Sequence, residues 1–277
     1  MPELPEVETI RRVLAPLVEG RTIVDATIGD PRLTRPEPPR SVAQRLVGER
    51  VVKLDRHGKY LDVVFESGHR LLVHLRMTGS FRHMPCGAFP SDPYVRAVVS
   101  LDDESDVIYR DVRRFGTWAL LDEADAAAYL SSRLGPEPLD RAFTGRSLAG
   151  TIAGRRAPIK SLLLDQRVVA GIGNIYADEA LWQARIHPLQ PGSSLSRDSS
   201  AALATAVRGA LRKGIVRQGA TLRDYQAPDG SPGGMQDDFR VSGRRGEPCP
   251  RCGAMIVRIV VGGRGTHFCP VCQPMGR

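Results

Sequence analysis

No run of this chain approaches the roughly 18 consecutive apolar residues that a membrane span needs. No secretory leader is expected either: where one would carry positive charge and then an apolar stretch, the chain has Glu3, Glu6 and Glu8. The expectation is a soluble, cytoplasmic protein. Lysine is scarce, supplying four of the 39 basic residues, with Arg supplying the rest. Codon bias would account for that ratio but not for where the charges fall. Residues 1–140 carry 19 Lys and Arg against 22 Asp and Glu, residues 141–239 carry 13 against 8, and residues 240–277 carry 7 against 1. The net charge of +8 is therefore concentrated in the C-terminal half. With a pI near 9.6, this asymmetry points to a polyanionic partner, most often nucleic acid. A hydrophobic content of 42% over 277 residues excludes wholesale disorder and is enough for one to three domains.

Cysteine is sparse too. Four of the five form Cys249-x-x-Cys252 and Cys269-x-x-Cys272 with sixteen residues between them. Each pair can present two sulfurs to one tetrahedral ion, and the intervening residues, turning at Gly262-Gly263, suit a β-hairpin. One structural zinc is the expected cofactor. A disulfide pair and a redox dithiol are the alternatives, and the expected absence of a secretory leader weighs against the first. Cys86, in a Pro- and Gly-containing loop, reads as an incidental thiol.

The apolar spacing of Leu4, Val7, Ile10, Val13, Leu14 and Leu17, with Pro5 in the first turn and acidic residues complementing the dipole, predicts an N-terminal helix. Short segments rich in Val, Ile and Leu at 22–28, 50–55, 60–65, 70–75, 95–101, 106–110 and 117–121 predict a β-sandwich or barrel. The Pro-rich stretch 31–40 reads as an exposed loop. From Ala124 the pattern turns helical and breaks at Gly135-Pro136-Glu137-Pro138, so residues 131–140 read as a linker between a domain over 1–130 and a helical domain over 141–239. Helices are predicted over 147–154, 158–165, 175–183 and 198–215, and a long loop over 219–238. Residues 240–277 form the four-cysteine segment. There are no internal repeats.

Gly171-Ile172-Gly173-Asn174-Ile175-Tyr176 opens a helix after Val168-Val169, but Tyr176 stands where a dinucleotide fingerprint has its third glycine. No nucleotide cofactor is expected. Such a turn suits either a phosphate, one of a DNA backbone included, or a purely structural corner. Met1-Pro2 is a pair from which the initiator methionine is normally removed, leaving a secondary amine. α-Amino groups titrate near ~7.7–8.0 in reference peptides, so part of the population is neutral and nucleophilic. Attack of that amine on a sugar C1′ would expel a base, with Glu3 and Glu6 near enough in sequence to move protons. The plainer reading is that Pro2 precedes a helix.

Taken together, Met1-Pro-Glu-Leu-Pro-Glu-Val-Glu-Thr9, His74-Leu-Arg-Met77-Thr-Gly79, Arg113-Arg-Phe115-Gly116, Leu163-Leu-Asp165-Gln166, the Gly171–Glu179 segment and the four-cysteine end resemble, in order, the motifs of bacterial formamidopyrimidine-DNA glycosylases. Leu4, where the related endonuclease VIII branch typically has Gly, favours the purine-lesion branch over a glycosylase for oxidised pyrimidines. The resemblance implies a multidomain α+β chain: an N-terminal β-sandwich with flanking helices, a helix-two-turn-helix module and a zinc finger, with duplex DNA bound in the cleft between the halves. It implies a monomer that excises 8-oxoguanine and formamidopyrimidines and cleaves the strand by β- and δ-elimination. Pro2 would be the nucleophile, Glu3 the acid/base and Glu6 its support. Lys59, His74, Asn174 and Arg264 match positions that hold the phosphates around the everted nucleotide, Lys59 and Arg264 being counted with the catalytic set, and Lys160 is placed among the DNA contacts. Met77, Arg113 and Phe115 match residues that fill the void left by the flipped base, as plug, forked donor and wedge; alone, Met77 reads more readily as core. Residues 219–238 match the segment that folds over the damaged base. The chain departs from the pattern at Val112, where Pro is usual, and at Ser242, where Tyr is common and contacts a phosphate. Two other classes stay open: a non-catalytic damaged-DNA binder and a zinc-finger regulator of intact sequence.

Overall fold

In the computed structural model, which describes residues 1–89, 91–221 and 225–275, the chain forms two compact units, Met1–Ser131 with Arg217–Gly234, and Ser132–Val216 with Met235–Arg277. Helix α1 (Leu4–Val18) follows from the predicted spacing and buries Leu4, Val7, Ile10, Leu14 and Val18. Its acidic residues do more than complement a dipole. Glu3, Glu6 and Glu8 are all buried, so each must find partners inside the fold.

Two antiparallel four-stranded sheets follow. The first runs in the order β1 (Ile23–Ile28), β6 (Val95–Leu101), β7 (Ser105–Asp111), β5 (Gly79–Pro85); the second runs β2 (Val51–His57), β3 (Tyr60–Phe65), β4 (Arg70–His74), β8 (Thr117–Leu121). Alternating residues of both sheets bury Phe81, Ala97, Tyr109, Leu61, Val73 and Trp118 in one core with Val7, Ile10 and Leu14 of α1. Strand β5 was not foreseen. Its sequence, Gly-Ser-Phe-Arg-His-Met-Pro, puts only one large apolar side chain, Phe81, into the core, and pairing with β7 makes it a strand. The stretch 31–40 also departs from an exposed loop. Leu33 and Thr34 are buried, and α2 (Pro39–Leu46) starts with Pro39 in its first turn, burying Val42, Ala43 and Leu46. Helix α3 (Glu123–Ser131) ends this part of the chain.

In the second unit the four predicted helices appear within two residues of expectation, as α4 (Gly145–Ile152), α5 (Ile159–Leu164), α6 (Asn174–Ala184) and α7 (Arg197–Val216). Thr144 and Ser147 cap α4 reciprocally. The Gly-Pro segment expected as a linker is docked within this unit: Gly135 N–H donates to Gln166 O at 2.8 Å, and Ala170 N–H donates to Pro136 O at 3.1 Å. The predicted hairpin is β9 (Val257–Val261) and β10 (Arg264–Phe268), turning at Gly262 and Gly263 with φ of +56° and +74°.

Sequence reasoning grouped the loop over 219–238 with the helical half, but residues 217–221 and 225–234 pack with the first unit. The loop is closed at its base by an antiparallel bridge, Ala220 to Gly234, and by Gly233 N–H donating to Thr221 Oγ1 at 2.8 Å. Leu222, Arg223 and Asp224 at its centre lie outside the described residues.

Candidate active site, filler loops and metal centre

Glu3 forms the N-cap position of α1, and Pro2 and Glu3 are both buried. The Glu6 carboxylate joins this start to the long loop. Its Oε2 accepts Glu3 N–H at 2.8 Å, and its Oε1 accepts Ala220 N–H at 2.8 Å. A side chain at Gly219, where φ is +82°, would place a Cβ 2.7 Å from Glu6 Cγ, so the loop backbone closes directly on this carboxylate. Tyr225 O–H donates to the Glu6 carbonyl at 3.3 Å, and burial with Glu6 alongside pushes that hydroxyl up, which keeps it protonated. Glu8 is committed elsewhere. Burial would raise its carboxyl, but hydrogen bonds from Arg11 and Arg12 and the charge of Arg56 outweigh that and hold it at about 2.

Lys59 follows Gly58 in the β2–β3 turn and is buried, as is His74 at the end of β4. Burial, Arg76 and the Lys59 ammonium push the His74 imidazole down to about 3, so it is neutral at cellular pH. Its Nδ1 accepts Arg76 N–H at 3.0 Å, which puts the ring proton on Nε2 and makes His74 an uncharged donor. Tyr60 holds the ring edge-to-face at 4.6 Å.

The filler candidates lie on two neighbouring loops of the first unit. Met77 is half-buried next to Arg76, and Arg113 and Phe115 are exposed on either side of Arg114. Arg76 and Arg114 both adopt left-handed backbone, with φ of +54° and +58°, a strained conformation for residues with side chains. Arg114 is fixed by a fork on Asp30, Nε to Oδ2 at 2.6 Å and Nη2 to Oδ1 at 2.8 Å. The Arg113 guanidinium lies 4.8 Å over the Phe115 ring.

In the second unit, Gln166 shapes the Gly-rich turn: its Oε1 accepts Gly171 N–H at 2.9 Å and its Nε2 donates to Ile172 O at 2.9 Å. Asn174 then opens α6, donating from Nδ2 to Gly265 O at 2.9 Å, beside exposed Arg264 on the hairpin. Lys160 corrects an expectation. Instead of presenting a charge to DNA it is wholly buried, with Nζ donating to Asp178 and to Asn174 O. Asp178 Oδ2 in turn accepts His267 N–H at 3.0 Å, so this buried pair ties α5, α6 and β10 together. Sequence reasoning also missed Glu179, whose carboxylate accepts the N–H groups of Arg240, Val241 and Ser242 at 2.9, 3.0 and 2.9 Å. Its place at the end of the Gly171–Glu179 motif was the available signal. The Ser242 hydroxyl is turned inward, donating to Ile175 O at 3.2 Å.

The four cysteines converge, with all Sγ atoms within 4.8 Å of one another. Zn–S bonds of about 2.3 Å in a tetrahedron require sulfur separations of about 3.8 Å. Cys249–Cys272 at 3.9 Å and Cys252–Cys269 at 3.5 Å meet that requirement. Trp182 Nε1–H donates to Cys249 Sγ and Cys272 N–H to Cys269 Sγ, both at 3.4 Å, an arrangement that favours thiolates. Cys86 is exposed.

Three family models match the chain: the formamidopyrimidine-DNA glycosylase N-terminal domain over residues 1–118, the formamidopyrimidine-DNA glycosylase H2TH domain over 134–226, and the zinc finger found in FPG and IleRS over 246–274. A formamidopyrimidine-DNA glycosylase of Roseiflexus sp. (strain RS-1) is 47% identical over 274 residues, covering 99% of this chain and 100% of that protein. One from Thermus thermophilus is 44% identical over 279 residues, covering the whole of both. Among solved structures, the Lactococcus lactis Fpg with abasic-site DNA superposes with a TM-score of 0.92 at 38% identity, covering 98% of this chain and 99% of that one. A variant of the same protein with DNA containing Fapy-dG also gives 0.92 at 38%, covering 99% and 100%.

Proposed function

The chain belongs to the formamidopyrimidine-DNA glycosylase family, and from that premise we infer that it is a bifunctional DNA glycosylase and AP lyase of base excision repair, acting on oxidised purines in duplex DNA. The observation that carries this reading is the buried Pro2-Glu3 start held by Glu6, on a chain that matches the family from end to end. With Met1 removed, the Pro2 amine attacks C1′, and the C1′–base bond breaks with its electron pair leaving on the base. Glu3 protonates O4′ as the sugar ring opens, and loss of the amine proton gives the iminium. Loss of a C2′ proton then expels the 3′ phosphate, and a second elimination expels the 5′ phosphate.

The remaining residues serve binding. His74 donates a neutral hydrogen bond to a phosphate oxygen, and Lys59, Asn174 and Arg264 hold the flanking phosphates. Met77, Arg113 and Phe115 occupy the vacated stack, and the described parts of the long loop, residues 219–221 and 225–238, close over the base. Four thiolates fill the zinc coordination sphere and leave no open position for catalytic water, so the ion's part is structural. The protein works as a monomer in the cytoplasm without a nucleotide cofactor. No helix among the described residues is long and apolar enough to cross a membrane.

Borohydride trapping on duplex DNA with an 8-oxoguanine·cytosine pair tests the reading. The expected result is a covalent adduct through Pro2, partly retained in Pro2→Gly and lost when an uncleaved tag blocks the amine. Binding to the lesion without an adduct would identify a silent damage binder, and binding that follows sequence and not lesion would identify a regulator. Full activity with a blocked terminus would exclude the amine mechanism.

A further inference from the structure

Arg113 and Phe115 are exposed, yet they stand in contact on a loop closed by buried hydrogen bonds, and its anchor is a residue no motif singled out. Asp111 ends β7 opposite Gly79 of β5 and is 1% exposed. Its Oδ1 accepts the Thr78 hydroxyl at 2.5 Å and Arg113 N–H at 3.2 Å, and its Oδ2 accepts Gly116 N–H at 2.8 Å. Thr78 Oγ1 also lies 3.0 Å from Arg113 N–H. One carboxylate thus closes the loop that carries Met77 and the loop that carries Arg113 and Phe115.

Packing behind these loops leaves them no slack. The Tyr109 hydroxyl lies between them: a Cβ at Gly79 would fall 2.5 Å from it, and one at Gly116 only 1.8 Å. Both glycines are required so that the two loops can approach the same buried ring. A guanidinium that reads the base opposite a lesion gives its full preference when its fork is held beforehand, because an ordering cost paid only where the fork engages cytosine is subtracted from that preference.

We propose that Asp111 is a positioning residue that holds Met77, Arg113 and Phe115 as one preformed wedge and thereby sets the preference for the base opposite the lesion. This rests on the reading of Arg113 as the residue that enters the vacated stack. The role is one of hydrogen bonding, not of charge. In Asp111→Asn the amide oxygen can accept Gly116 N–H while the amide N–H donates to Thr78 Oγ1; the 3.2 Å bond from Arg113 N–H is lost, but Arg113 N–H keeps Thr78 Oγ1 as its acceptor.

The test is single-turnover excision of 8-oxoguanine opposite cytosine and opposite adenine, in the wild type, Arg113→Ala, Asp111→Ala, Asp111→Asn and Thr78→Val. A charged hydrogen bond corresponds to a preference of roughly ten- to hundredfold. Asp111→Ala is expected to reduce the cytosine-to-adenine ratio about as far as Arg113→Ala does, Thr78→Val to reduce it partway, and Asp111→Asn to restore it. If Arg113→Ala compresses the ratio while Asp111→Ala and Thr78→Val keep it at the wild-type value, the proposal fails and the reading of Arg113 survives. Equal slowing of both substrates by Asp111→Ala, or by Thr78→Val should Asp111→Ala not fold, would make Asp111 a merely structural residue and overturn the proposal. A wild-type ratio near one, or no change in Arg113→Ala, would overturn the Arg113 reading itself.

Discussion

Replacing Lys160 by Met distinguishes a lysine that touches DNA from one that builds the surface touching it. Lys160 and Asp178 are 0% and 1% exposed, so solvent screening offers little relief to either charge. Removing the ammonium leaves Asp178 with a buried negative charge whose Oδ2 still accepts His267 N–H but whose Oδ1 has lost its cation. Breaking such a pair costs about 3–5 kcal/mol, a large part of the stability of an ordinary domain. In hydrogen exchange followed by mass spectrometry, the protection of α6 is expected to fall by roughly two to four powers of ten, the equivalent of that energy. Substituting Asp178→Asn in the same chain removes the orphaned charge and should recover much of the loss. DNA binding provides the second readout. A phosphate-contacting cation contributes about 0.9 to the slope of log affinity against log salt. Lys160→Met should weaken binding because the loosened hairpin must be ordered on binding, yet leave that slope unchanged because Arg264 still makes its contact in the complex, whereas exposed Arg264→Ala should lower it by about one contact. Unchanged α6 protection together with a slope reduced by ~0.9 would refute the argument and return Lys160 to the DNA-contacting set.

Three further outcomes are expected. Stripping the metal should unfold the four-cysteine segment, because comparable sites contribute ~10–16 kcal/mol of apparent binding energy; circular dichroism and metal analysis during chelation check this, and active, folded, zinc-free protein would contradict it. Glu8, held at about 2 against an ordinary 4.5, has a lowered folded-state value, so its contribution is complete above pH 4.5 and is lost as pH falls toward 2. The shift corresponds to at most about 3 kcal/mol before solvent screening of the partly exposed arginines, and Glu8→Gln should lower stability at pH 7 and flatten the acid limb of a denaturation profile; an unaltered limb would count against the arginine cluster. Arg113→Ala should slow excision opposite cytosine more than opposite adenine, whereas Arg114→Ala, whose fork is spent on Asp30, should affect both alike, as measured by single-turnover kinetics.

The sequence by itself determined the features whose cause is local. The 3.6-residue spacing from Leu4 to Leu17 places α1, because one helical face must be buried. Seven strands were legible because Val, Ile and Leu alternate between turn residues, and the two Cys-x-x-Cys pairs specify a metal centre because four sulfurs at that spacing can reach one ion. Tertiary structure alone decided whatever depends on residues far apart in the chain. Strand β5 exists because β7 supplies its partner, and Gly79 and Gly116 become indispensable only when Tyr109 is packed behind both. Lys160 is placed among the DNA contacts on the sequence alone; only the fold sets Asp178 against it and buries the pair. Glu6 meets Ala220 across more than two hundred residues, and Asp111 meets Thr78 across more than thirty. A buried carboxylate must be satisfied by whichever N–H or O–H groups the fold brings to it, and the order of residues along the chain does not name them.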